Sequence, residues 1–150
     1  MHPLIPLALA SQMVLGNPGV TALNDGARAI DRNDIAQGME LTQQALDSEF
    51  LLLYQTGKAH NNMCVAFFKL KLYEEALKHC DTAISISENN WIYFNNRAGV
   101  YLGLGRLDDA VADYQVAVEL NPYSERLKEN VRMAVRSLDL ARQEGKRPGT

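Results

Sequence analysis

With 150 residues, 47% of them hydrophobic and 22% charged, the chain carries enough apolar material for one packed domain and reads as globular and soluble. The net charge of −3 is unevenly spread, for residues 125–150 hold seven basic and four acidic side chains and residues 1–124 hold 8 and 14. The body therefore lacks the basic stripe of phosphate-led nucleic-acid binding, and no apolar run reaches the ~18–20 residues of a bilayer span, so neither a nucleic-acid partner nor stable membrane insertion is expected.

Residues 1–19 read as an N-terminal arm or the remnant of a signal peptide. Leu4 to Ala10 (LIPLALA) is apolar, and Ala8-Leu9-Ala10 has the small-x-small spacing of a signal-peptidase site. Only His2 precedes the run, so the positive n-region is missing. An exported, periplasmic protein is expected if this run is a signal remnant, and a cytoplasmic one otherwise.

From there the chain repeats itself. Asn24, Asn62, Asn96 and Asn130 are separated by 38, 34 and 34 residues. Shifting by 34 places Cys64 on Ala98, Ala76 on Ala110, Ala83 on Ala117, Phe67 on Tyr101, and Glu74-Glu75 on Asp108-Asp109. Shifting by 38 finds a weaker first copy, in which Gly38 meets Ala76 and Ala45 meets Ala83. The extra residues fall near Ser48 to Tyr54. Three copies result, at about 20–52, 57–90 and 91–124. Each holds two apolar stretches at helical spacing, in the third copy Trp91 to Leu104 and Leu107 to Leu120. Gly105-Arg106 supplies the turn between them, and Pro122 stops the second. The paired acids Glu74-Glu75 and Asp108-Asp109, just after the turn in the second and third copies, suit a helix N-terminus and need no acid–base role. Residues 125–143, with Ser124 as N-cap, form one more amphipathic helix that covers the last apolar face. Residues 144–150 read as a disordered tail.

The segment Tyr93 to Pro122 (YFNNRAGVYLGLGRLDDAVADYQVAVELNP) resembles a tetratricopeptide repeat along its whole length, and the likeness extends over roughly residues 20–124. The middle copy departs from the pattern with Lys71 for the turn Gly and Glu88 for Pro, and the first has Gly38 in the family's Ala position. The resemblance implies an all-α fold, an α–α superhelix of three hairpins plus a capping helix. It also implies a protein or peptide partner held in the concave groove, as an adaptor or assembly factor without catalysis.

The first helix of each unit would line that groove. It would present Asn24 from the first unit and Asn61, Asn62, Val65, Phe68 and Lys69 from the second. Asn95, Asn96, Gly99 and Leu102 would follow from the third, then Arg126 and Asn130. Asparagine offers donors and an acceptor, so the register could pair with peptide amides without reading sequence. A carboxylate clamp of the chaperone-binding members is disfavoured. One frame supplies Asn96 and Arg126 but puts Asn61, Val65 and Asn130 where Lys, Asn and Arg are needed; the other puts Leu23, Ala27, Ile92 and Asn96 at the positions around Asn62. Self-association through an open end, aided by the arm Leu4 to Val20, is the alternative, as is an accessory subunit of a separate enzyme. A monomer or weak homo-oligomer is expected.

Cys64 and Cys80 read as two buried apolar thiols or, in an exported protein, as an intra-hairpin disulfide. The disulfide depends on whether the two helices come close enough. His60 shares a face with Cys64, and His79 adjoins Cys80, yet the spacing fits no common zinc signature, so no metal is expected. There is no phosphate loop, His-Glu-x-x-His or Gly-x-Ser-x-Gly, so neither a cofactor nor an enzyme is expected.

Overall fold

The computed structural model describes residues 17–49 and 51–144, so the proposed arm lies almost wholly, and the tail after Glu144 wholly, outside the described residues. Among the described residues the chain forms seven helices and no strand: α1 (Pro18–Asp31), α2 (Ile35–Leu46), α3 (Leu53–Lys69), α4 (Tyr73–Ile86), α5 (Trp91–Gly103), α6 (Leu107–Leu120) and α7 (Glu125–Glu144). None is long and apolar enough to cross a membrane.

Local chemistry sets the starts. Asn17 accepts from the N–H groups of Gly19 and Val20 at 2.9 and 3.3 Å, with Pro18 in the first helical position. Asn90 caps α5 by accepting from the Ile92 N–H, and the Ser124 hydroxyl accepts from the Leu127 N–H. The turns inside the three hairpins are copies of one another. Asn33, Lys71 and Gly105 take left-handed φ values of 67°, 60° and 72°. The residue after each donates back to Ala29, Phe67 and Tyr101, at 2.9, 3.0 and 2.9 Å. Only the third uses glycine, the residue for which that conformation is free of strain.

The two helices of each hairpin pack together, each second helix meets the first helix of the next unit, and α1, α3 and α5 touch in succession. Small residues make the close approaches: Ala45, Ala59, Ala76, Ala98, Ala110 and Ala117 are fully buried. In the first hairpin the approach is closer still. A Cβ on Gly26 would lie 3.0 Å from the Gly38 carbonyl oxygen, and one on Gly38 3.1 Å from that of Gly26. That contact is the reason Gly38 replaces the alanine found in the other copies.

Two cross-links hold the second and third units. Cys64 of α3 and Cys80 of α4 are joined by a disulfide across a Cα–Cα distance of 5.2 Å, so the helices do approach closely enough. Arg97 of α5 reaches both ways. Its Nε and one terminal nitrogen donate to the two Asp113 carboxylate oxygens at 2.7 and 2.9 Å, and the other terminal nitrogen donates to Asp81 at 2.7 Å. These bonds raise the pKa of Arg97 and keep it charged although half-buried.

Candidate groove

Two concavities lie between successive first helices. The larger, about 280 Å³, lies between α3 and α5 and is lined by Val65, Phe68, Lys69, Asn95, Asn96 and Gly99. All six are groove residues of the sequence reading; Cys64, read there as a buried thiol, and Tyr114 complete the wall. The smaller, about 130 Å³, lies between α1, α3 and α5 and takes in Asn24, Asn61 and Asn62 together with Lys58 and Ile92. Leu102 departs from its expected place, because it packs on the buried cluster of Ala98, Tyr114 and Ala134. Arg126 is exposed and Asn130 half-buried, and neither lines these two cavities.

The asparagine register is real, but its amides are already engaged. The Asn130 side-chain N–H donates to the Asn95 side-chain oxygen at 2.9 Å, and that of Asn96 to the Asn61 oxygen at 2.8 Å. That of Asn62 donates to the Leu23 carbonyl at 3.3 Å. One rule covers all three: an asparagine in one first helix ties back to the preceding first helix, one position earlier in its register. Asn95 also donates to Asn96 at 3.3 Å, joining the last two rungs. The free row of ligand-facing amides is thereby corrected. Asn62, Asn96 and Asn130 bridge repeats first, and each has remaining hydrogen-bonding capacity to offer a ligand. Asn24 stands in α1 and makes no such bond among the described residues.

Electrostatically the groove is neutral to positive. Each cavity holds one lysine, Lys69 or Lys58, and no carboxylate. Neither lysine enters an ion pair among the described residues, although Lys58 lies over the Tyr54 ring at 5.4 Å. Arg97, Arg106 and Lys78, by contrast, are all ion-paired.

On the second hairpin, His60 of α3 and His79 of α4 meet through their Nδ1 atoms at 3.0 Å, one ring donating and the other accepting. Phe67 stacks on His79 with centroids 5.4 Å apart. Burial lowers the pKa of both imidazoles. Among the described residues no group of three or more His, Cys, Asp or Glu side chains is placed to hold a metal ion.

Comparison with known proteins meets this geometry. The family model for the tetratricopeptide repeat matches residues 57–90 and again residues 93–124. Hsp70-Hsp90 organizing protein 1 of Arabidopsis thaliana is 36% identical over 73 residues, 49% of this chain and 12% of that protein. Small glutamine-rich tetratricopeptide repeat-containing protein 2 of Saccharomyces cerevisiae is 30% identical over 102 residues, 67% of this chain and 29% of that protein. The chain thus spans a minor part of the curated relatives it matches. Among solved structures, the Sgt2 TPR domain from Aspergillus fumigatus superposes with a TM-score of 0.77 at 14% identity, over 90% of this chain and 88% of that one. The first TPR of Spaghetti (RPAP3), solved with the HSP90 peptide SRMEEVD, gives 0.73 at 18% identity, over 81% and 94%. At such identities the superpositions speak for the fold. With the repeat register, the hairpin turns and two consecutive model matches in agreement, the chain belongs to the tetratricopeptide-repeat family, as an array of about three repeats.

Proposed function

We propose that this protein-interaction module holds an extended segment of a partner protein in the groove formed by α1, α3 and α5. The observation that carries the reading is the alignment of two cavities along one face. Each combines apolar walls, asparagine amides with remaining capacity and one lysine without a carboxylate partner. Amides suit a peptide main chain, and apolar recesses suit its side chains. Such a surface binds and does not make or break bonds, so the role is non-catalytic. The Cys64–Cys80 disulfide supports an oxidising compartment and hence the exported alternative.

The test is photo-crosslinking in a native lysate, with benzoylphenylalanine replacing Phe68 in the groove or Tyr123, which is 92% exposed and lines neither cavity. Partner crosslinks are expected at 68 and not at 123. Equal or reversed yields would move the interface off the groove.

The relatives favour a second reading. Hsp70-Hsp90 organizing proteins match half of this chain, and a solved structural neighbour carries the HSP90 peptide SRMEEVD. In that reading the groove receives an acidic C-terminus, although Val65 and the asparagines occupy places where a clamp has other residues. Titration with SRMEEVD and with its C-terminally amidated form separates the two. Binding lost on amidation would favour the clamp; weak binding insensitive to amidation leaves the first reading.

A further inference from the structure

Three features of the cavity between α3 and α5 go unexplained by the fold. Gly99 sits inside α5, where glycine is less favourable than alanine. Yet a Cβ at Gly99 would come no nearer than 3.9 Å to its closest neighbours, the Phe68 ring and the Tyr114 hydroxyl. The residues in register elsewhere are Ala27, Val65 and Met133, so a side chain is tolerated at this place in every other unit. Sterics do not require the glycine; its effect is to leave the cavity open. Tyr114, only 7% exposed, turns its hydroxyl toward Gly99, and that hydroxyl has no hydrogen-bond partner among the described residues. Among the described residues no buried side-chain nitrogen or oxygen lacks a partner, so this hydroxyl is one that solvent reaches through the cavity, and an occupant can take the place of that water. Lys69, on the rim, lacks an ion pair.

Resting on the groove-binding reading, we propose that this cavity is a specificity pocket for a peptide in which a large apolar side chain, aromatic or branched aliphatic, stands next to a carboxylate. The apolar group enters the space that Gly99 leaves, against Val65, Phe68 and the Tyr114 ring. The carboxylate reaches Lys69, and the Tyr114 hydroxyl donates to a main-chain carbonyl of the peptide. The asparagine pair, Asn95 and Asn96, borders the passing chain. Charge complementarity excludes a basic ligand, since the cavity holds a cation and no anion.

Selection of phage-displayed random peptides on the intact chain tests this, followed by titration of the best synthetic peptide against variants. Enrichment of Leu, Ile, Phe or Trp beside Asp or Glu is expected. Gly99→Leu fills the pocket and should weaken binding by about 30-fold or more, Gly99→Ala by a few-fold, and Lys69→Ala by about fivefold. Circular dichroism should show full helix content for Gly99→Ala, which keeps the test valid if Gly99→Leu fails to fold. Peptides without the apolar–acidic pair, or bound equally well by both Gly99 variants, overturn the pocket. If such peptides still lose affinity on Asn95→Ala or Phe68→Ala, groove binding survives without it. Peptides indifferent to every one of these substitutions, or no enrichment at all, overturn both.

Discussion

The first hairpin and the junction of the second and third are built from the same repeat but closed by opposite means. In the first, α1 and α2 meet backbone to backbone over Gly26 and Gly38, and the buried Thr42 hydroxyl is spent on the Gly38 carbonyl at 2.7 Å. No charge is buried there. In the second and third, side chains do the closing, through the Cys64–Cys80 disulfide and through Arg97 between Asp81 and Asp113. Side-chain closure makes a hairpin depend on particular partners, whereas backbone closure makes it depend on the absence of a Cβ. One repeat pattern is thus closed in two ways by changing only what fills the hairpin.

The comparison breaks most sharply at Arg97. Arg97→Leu leaves Asp113 buried without its partner and should cost about 3 kcal/mol in urea unfolding, since removing one member of a buried pair strands the other. The Asp81 contact counts for little of this, because Asp81 is half-exposed. A loss below about 1 kcal/mol would mean that the clasp is ornamental and the disulfide alone secures the junction. Next comes Gly38→Ala. Alanine is the residue at this place in the other copies, yet here its Cβ would press on the Gly26 carbonyl and on the Ile30 backbone nitrogen at 3.0 Å. A loss of about 2 kcal/mol is expected, against the gain that alanine gives in an open helix. A stabilised variant would show that α1 and α2 part easily.

Most of the fold was legible because the third copy is complete. Trp91 to Leu104 and Leu107 to Leu120 were expected as helices, and Trp91–Gly103 and Leu107–Leu120 are found. Helical period, a glycine turn and a terminal proline all agree there. Pro18 and Gly19 were assigned to the arm but belong to α1, because Asn17 caps the helix two residues before the apolar pattern begins. The groove positions were legible as register. The pairing of Asn61 with Asn96 and of Asn95 with Asn130 was not, since it depends on how far each helix is rotated against the last. Arg97 was assigned no role from the sequence. Its partners lie 16 residues away in both directions, on different helices, so no local pattern reveals them. A usable signal existed, since Arg97 is the only charge in an otherwise uncharged α5, and a lone charge among core residues requires a partner.

The smallest expected effect lies at the interface of α3 and α4. His60 and His79 share one proton between facing nitrogens, and burial holds both below the ordinary imidazole value, with a charge on His60 further opposing one on His79. Glu75 on α4 favours charging of His79, and Lys78 opposes it. As pH falls through the ordinary value of about 6.5, the unfolded chain takes up protons that the folded pair resists. Stability is therefore full above that value and declines as acid reaches the lowered folded values. The melting temperature should fall between about pH 7 and pH 5, before the carboxylates titrate. His60→Phe places at that position the residue found in register at Phe94, beside a ring that already stacks on Phe67. It should flatten the decline without lowering stability at neutral pH. A wild-type protein with equal melting temperatures at the two pH values would show that α3 and α4 separate locally enough to hydrate both rings. The disulfide, and not the tightness of the aromatic contact, would then be what keeps the second hairpin shut.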